Sequence, residues 1–335
     1  MTDARTDVAA PACFRHPDRQ TLRQCTRCER FACPACLIDG PVGSQCVECV
    51  RGAAEEYSVA AKSTDKARGR NLAAVVRPSP VFLGLVVLFV ASAVWSWNAG
   101  RVPRSATGDL DLAFARGPAL AFMITGWCVS LTLHEFAHAV MAYRGGDRTV
   151  ADKGYLTLDL RRYVHPFLSI VMPLVFMLAG GIGLPGGAVW IRNDLIRTRT
   201  NRSLVSFAGP FANMLCAVAC LAPFSVVSEA QLVRHSHFFA MLGFLGLLQI
   251  TAVIINLLPI PGLDGFGILE PWMPHGLRTA VQQLRQYSFF ILYLLLWRAG
   301  PVRDFVFSFT DRIFELFGVD RFWPSLGRAL IPSFG

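Results

Sequence analysis

Thr132-Leu133-His134-Glu135-Phe136-Ala137-His138 is the stretch on which the reading of this chain turns. In a helix, His134 and His138 stand four residues apart on one face, so both imidazoles can reach one Zn²⁺ while Glu135 stands beside the metal as a base. Peptide hydrolysis is the chemistry that such an arrangement serves. Between Ala119 and Val140 the only ionisable side chains, Cys128 aside, are the two histidines and the glutamate. A soluble metalloprotease helix carries a polar stripe, whereas a helix that is apolar all round is buried in protein or lipid. Ionisable groups in such a setting are costly and read as functional.

The composition carries the same message over the whole chain. Its 335 residues are 53% hydrophobic and only 16% charged, with a mean hydropathy of +0.43. Several apolar runs approach the ~20 residues that a bilayer helix needs. The expected fold class is therefore an all-α polytopic membrane protein of about 5–6 transmembrane helices, with a re-entrant segment, a short β-hairpin and a small N-terminal metal-binding module. Residues 1–12 are polar and lack an apolar core of the signal-peptide type, which places the N-terminus in the cytoplasm. The net charge of +9 comes mainly from arginines flanking apolar runs, the pattern of the positive-inside tendency, so nucleic acid is not an expected partner.

Seven of the ten cysteines lie between Cys13 and Cys49, as Cys25-x-x-Cys28, Cys33-x-x-Cys36 and Cys46-x-x-Cys49, with Cys13-x-x-His16 as a fourth pair. In a cytosolic segment this spacing reads as zinc rather than disulfides. Eight ligands close two tetrahedral sites, and with so few apolar residues the metal must supply the folding energy. Residues 1–50 also carry six arginines against six carboxylates, and the thiolates outweigh two zinc ions, so the module lacks the positive surface that phosphate binding needs. A role in recruiting a protein partner or gating a substrate fits better. The spacing resembles a B-box-type zinc finger, and that resemblance implies interleaved pairing: Cys13, His16, Cys33 and Cys36 on one ion, Cys25, Cys28, Cys46 and Cys49 on the other. Cys128, Cys216 and Cys220 sit in apolar runs and read as small buried hydrophobes.

Beyond the module, residues 51–79 form a linker ending in a basic string, which holds its flank in the cytoplasm. Residues 80–300 form the membrane domain, with spans expected near 81–97, 118–143, 204–227 and 238–258, and a shorter apolar stretch at 280–297. The apolar run 166–191 is interrupted by glycines and followed by Arg192, Arg197, Arg199 and Arg202. It is expected to dip in and return to the same side. Tyr155-Leu156-Thr157-Leu158-Asp159-Leu160 alternates apolar and polar positions and reads as a strand, half of a short hairpin beside the active site. Residues 301–335 make an amphipathic tail that is expected to lie in the membrane interface.

Two histidines leave a catalytic zinc one protein ligand short. Asp264 is the best third ligand, since the topology above brings the inner end of the 238–258 span to the depth of His138. Asp159 in a predicted strand, His165 beside a proline, and His235 and His237 on the opposite face are weaker alternatives.

His-Glu-x-x-His, then Ala208-Gly209-Pro210-Phe211-Ala212-Asn213, then Asn256-Leu257-Leu258-Pro259-Ile260-Pro261-Gly262-Leu263-Asp264-Gly265, in that order on apolar helices, resemble the site-2 protease family of membrane-embedded metalloproteases. The resemblance implies cleavage of a substrate's transmembrane helix within the bilayer. It implies His134, His138 and Asp264 as ligands of a catalytic Zn²⁺, and Glu135 as the group that takes a proton from the activated water and returns one to the leaving amine. It also implies Asn256 as a donor to substrate backbone or oxyanion. The expected location is the bacterial cytoplasmic membrane, with the bilayer and a transmembrane protein substrate as partners. There is no room between the second and third spans for the PDZ domain of some family branches, which leaves the N-terminal module as the soluble part able to recruit or gate substrate. A catalytically inactive relative that binds membrane proteins and a zinc transporter are the competing readings. All four chemical groups are present, which argues against the first. A transporter would need ionisable residues along several helices, and the first, third and fourth spans have none between their ends.

Overall fold

The structure, a computed structural model, describes residues 11–25, 28–40, 43–50, 72–102, 116–163, 191–282, 284, 287 and 300–332. The chain divides into two compact units, residues 1–69 and 70–335.

In the first unit a single 3-10 turn, Pro34–Cys36, leads into an antiparallel hairpin of β1 (Leu37–Gly40) and β2 (Gly43–Cys46), with Leu37 opposite Cys46. Among its described residues the buried apolar cluster is small: Cys13, Ala32, Cys33 and Cys36, with Phe14 and Leu37 packed on it. A core of that size does not support a fold unaided.

The second unit is helical. Among the described residues four helices are long and apolar enough to cross a membrane: α1 (Pro80–Asn98), α2 (Arg116–Gly145), α3 (Arg199–Leu221, continued to Ser225 by a 3-10 turn) and α4 (Ser236–Leu257). They are followed by α5 (Asp264–Leu269), α6 (His275–Gln282), α7 (Gly300–Leu316) and α8 (Phe322–Leu330). The start of α1 follows from its sequence: Ser79 Oγ accepts from the Phe82 N–H at 3.1 Å, and Pro80 occupies the first turn, where its missing N–H costs nothing.

Burial ranks the four long helices. In α4, of mean hydropathy 2.3, 83% of the apolar window is buried, against 11% in α1, of mean hydropathy 2.0. Equal greasiness therefore serves two purposes, a protein-packed centre and a lipid-facing flank. Helix α4 packs on α3 and α8, α2 packs on α1 and α3, and α5 packs on α3.

Hydrogen bonds between element ends define a common pole. The Arg197 N–H donates to the Gly145 carbonyl at 3.1 Å and the Arg192 N–H to Asp147 Oδ2 at 2.8 Å, joining the end of α2 to the approach of α3. Just before α1, the Arg77 and Ser79 N–H groups donate to the Leu156 and Thr157 carbonyls at 3.2 and 2.7 Å. At the other pole the His237 N–H donates to the Gly100 carbonyl at 3.2 Å, bringing the end of α1 to the start of α4. The start of α1, the end of α2, the start of α3 and the end of α4 thus share one pole. The run expected to re-enter, 166–191, lies outside the described residues except for Ile191, as does most of 280–297. Its flanks at Tyr163 and Ile191 belong to this same pole, both packing on one buried cluster with Ala142 and Tyr143.

The expected strand over Tyr155–Leu160 does not form. Gly154 has a φ of 74° and Leu158 a φ of 55°, the Tyr155 N–H closes on the Val150 carbonyl at 2.9 Å, and Leu160–Tyr163 is one helical turn. Alternation there reflects a folded turn that buries Tyr155 and Leu156 against α2, with the Tyr163 hydroxyl donating to the Tyr155 carbonyl at 2.6 Å. No hairpin stands beside α2 among the described residues.

The tail divides its faces. Val306, Thr310 and Phe314, one helical turn apart, are buried on α7, while Phe305, Phe309 and Leu316 are exposed. Helix α8 buries Trp323, Leu326 and Leu330 in the main core, where the Trp323 ring meets those of Phe224 and Phe239. Replacing Trp323 by Ala is expected to lower unfolding free energy by about 3–5 kcal/mol, the range for large aromatic truncations. Reversible denaturation in mild detergent measures it, and an unchanged midpoint would remove α8 from the core.

Candidate metal centre and active site

The α2 helix presents His134 and His138 inward, 6% and 7% exposed, and Glu135 beside them at 3%. Helix propensity does not explain so polar a trio in an apolar helix; the neighbouring helix does. On α3, Gly209 faces both rings. A Cβ there would stand 2.5 Å from His134 Nε2 and would also overlap His138 Nε2, so only glycine lets the two helices approach this closely. Pro210 follows it within the helix and cannot donate to the Ser206 carbonyl, which loosens the backbone ladder one residue from Val205.

The third group arrives from the end of α4. Leu258-Pro259-Ile260-Pro261 cannot continue the helix, and Gly262, at a φ of 98°, turns the chain so that Asp264 opens α5. Asp264 Oδ2 lies 3.3 Å from His134 Nε2 and Oδ1 lies 3.3 Å from His138 Nε2, while the two Nε2 atoms are 3.1 Å apart. One donor atom from each residue falls within 4.8 Å of the others.

The outer ring nitrogens settle the tautomers. His138 Nδ1–H donates to the Val205 carbonyl at 2.6 Å and His134 Nδ1–H to Asn213 Oδ1 at 3.2 Å. Both Nε2 lone pairs consequently face Asp264. Two neutral imidazoles and an anionic carboxylate converging on one point fit a divalent cation with an open position, the donor set of hydrolytic zinc.

Asn256, in the last turn of α4, is 6% exposed, and its Nδ2 is a buried donor with no hydrogen-bond partner. A buried donor without an acceptor costs free energy comparable to a lost hydrogen bond. A polar cavity of about 280 Å³, lined by Asn193, Ser206, Leu263, Asp264, Glu270 and Arg278, opens beside Asp264. Along α2 and α3 runs an apolar groove of about 680 Å³, lined by Leu133, Phe136, Val140, Phe207, Phe211 and Leu215 among others.

The alternative ligands stand elsewhere. Asp159 is held by Arg161 through a 2.8 Å ion pair, which lowers its carboxyl below the ordinary range. His235 stacks on Trp97 at 3.7 Å at the opposite pole, near buried His237. His165 lies outside the described residues. Asn213 and Val205 were not among the expected site residues. Asn213 could have been found from its spacing four residues after Gly209; a backbone carbonyl such as that of Val205 leaves no signal in sequence.

In the first unit the eight metal-ligand candidates form two groups, Cys13, His16, Cys33 and Cys36, and Cys25, Cys28, Cys46 and Cys49, each with its ligand atoms within 4.8 Å of one another. These are the interleaved sets that the B-box resemblance implies. His16 Nδ1 lies 3.9, 3.5 and 3.3 Å from the sulfurs of Cys13, Cys33 and Cys36, and none of the ten cysteines is in a disulfide. Crowding raises several of the thiols: burial and the neighbouring Cys33 and Cys13 push the Cys36 thiol up to about 11, and Cys46 foremost pushes Cys49 up to about 12, whereas Cys13, against its burial, is brought down to about 6 by backbone donors at Cys33, Arg15 and His16. A divalent cation in each group relieves that repulsion.

Two outcomes follow. Gly209→Ala should remove one metal ion per chain, read by elemental analysis of purified protein, with helical content retained; full occupancy would show that α3 does not define the site. A strong chelator should unfold residues 11–50 while amide exchange in α4 stays protected, whereas persisting protection at Cys46 would show a unit that folds without metal.

No protein-family model matches the chain, and no solved structure does. Curated relatives do. A protein of Mycobacterium tuberculosis strain H37Rv is 41% identical over 255 residues, covering 76% of this chain and 93% of the relative. One of Mycolicibacterium smegmatis is 39% identical over 263 residues, 78% of this chain and 96% of the relative. One of Bacillus subtilis is 30% identical over 214 residues, 59% of this chain and 91% of the relative. All three are named "Putative zinc metalloprotease", Rip2 in the first two and YwhC in the third.

Proposed function

Because the chain belongs to the site-2 protease family of zinc metalloproteases, we propose that it hydrolyses peptide bonds within the transmembrane helices of membrane-protein substrates. The observation that carries this reading is the convergence of Asp264, from the start of α5, with His134 and His138, tautomers set, on a helix that is apolar all round. His134, His138 and Asp264 would hold Zn²⁺. Zinc held there supplies Lewis acidity and a water acidic enough to attack at neutral pH.

The protein's own groups perform the remaining work. Glu135, buried next to His134, accepts the proton of the attacking water and delivers it to the leaving amine. The unpartnered Nδ2 of Asn256 donates to the scissile carbonyl oxygen as negative charge develops on it. A helical substrate hides its peptide groups, so it unwinds locally before cleavage; the non-helical backbone from Leu258 to Leu263 offers groups to receive it.

The shared pole supports a cytoplasmic active site in a bacterial cytoplasmic membrane, with residues 166–191 returning to the side they left. Arg144 in the last turn of α2, Arg148 just after it, Arg197 before α3 and Arg199 at its first position cluster at that pole, as the positive-inside tendency requires. Residues 77 and 79, just before α1, donate to the Leu156 and Thr157 carbonyls. In this reading the finger, with a structural zinc in each of its two groups, recruits or gates substrate.

Glu135→Gln is expected to retain the metal and to lose about 10²–10⁴-fold in kcat, measured on a purified transmembrane substrate. Cleavage at the parental rate with full zinc would overturn the mechanism.

A further inference from the structure

The face of α3 that meets the histidines is a repeat at four-residue spacing: Val205, Gly209, Asn213. The two Nε2 atoms converge above Gly209, and the two Nδ1 atoms diverge from it, one to either side. The anchors at the two ends differ in kind. His138 is held by a main-chain carbonyl, which no side-chain substitution removes. His134 is held by the amide oxygen of Asn213, a buried side chain 6% exposed, from the helix opposite its own.

We propose that Asn213 is the positioning residue of the metal centre: by accepting the Nδ1–H of His134 it fixes the ring's tautomer and plane, and thereby sets the affinity of the His134, His138 and Asp264 group for zinc. Without that acceptor the buried Nδ1–H has no counterpart, and the competing tautomer, with hydrogen on Nε2, gains population. In that tautomer His134 presents a proton where it must present a lone pair. The ring would also be free to rotate about its outer torsion, which is broad for histidine. Asn213 is not one of the three metal-donor residues, and its effect on zinc passes through His134. Outer partners of this kind are worth ~10–100-fold in metal affinity.

This inference rests on the zinc reading of the three ligands. The test uses the full chain and zinc itself. Competition with a chromophoric chelator gives the occupancy curve of all sites, and subtracting the curve of Asp264→Ala, which lacks this site and keeps the finger groups, isolates the membrane centre. No difference between parent and Asp264→Ala would overturn the zinc reading and this assignment with it, whereas a difference that Asn213→Leu leaves intact overturns the assignment alone. Asn213→Leu keeps the volume and removes the acceptor, and should weaken zinc binding ~10–100-fold. Asn213→Asp keeps an acceptor in place and should hold zinc at least as tightly as the parent. Parental affinity in Asn213→Leu would overturn the proposal. Equal loss in Leu and Asp variants whose thermal midpoints match the parent's would overturn it too. If Asn213→Leu fails to fold, Asn213→Asp decides alone: retained affinity supports the assignment and a loss refutes it.

Discussion

The approach of α3 to α2 at Gly209 is the constraint on which the membrane unit depends. Two imidazoles buried between helices need a surface with no side chain in front of them and acceptors on either flank, and one face of α3 provides both. An unpaired polar group at such a depth is costly, so each nitrogen has a purpose: the Nδ1 atoms bond to α3 and the Nε2 atoms face Asp264. The site is therefore also a packing element. Its Nδ1 donors are satisfied by α3, its Nε2 and carboxylate acceptors converge on one point, and the helices that carry the histidines and their acceptors are held at a distance only glycine permits.

Around that contact, α4 is the scaffold. It is surrounded by protein over most of its length, which makes it rigid, and its C-terminal end delivers both the orphan amide of Asn256 and the turn that ends in Asp264. Prolines and a glycine at positive φ stop the helix there. Non-helical backbone deep in an apolar unit is tolerated where protein or a wet cavity shields it, and the polar cavity beside Asp264 supplies the second. The apolar groove on α2 and α3 lies along the same helices. The polar cavity thus touches Asp264, while the apolar groove runs along the two helices that meet at Gly209.

Much of this was legible in the chain. Helix spacing put His134 and His138 on one face, and unbroken apolar runs gave α1 to α4 to within a few residues at most boundaries. The cysteine pairs fixed the ligand inventory of the first unit, with the interleaving coming from resemblance. Residues 155–160 misled because short alternation is shared by a strand and by a turn that buries two neighbouring side chains; the φ of Leu158 excludes the strand, and no rule of alternation senses it. The tail read as interfacial from its amphipathicity, yet Trp323, Leu326 and Leu330 reach the core, because an apolar stripe does not say whether lipid or protein will cover it.

What the sequence determined by itself is local: which residues carry chemistry, which segments are apolar enough to leave water, and where prolines and glycines end a helix. These follow from covalent geometry and transfer free energy, properties of neighbouring residues along the chain. What only the tertiary structure decided is which distant groups meet. The Val205 carbonyl on His138, the Asn213 amide on His134 and the arrival of Asp264 between them join positions more than sixty residues apart. Such encounters are set by the packing distance between helices, and at Gly209 that distance depends on a side chain that is not there.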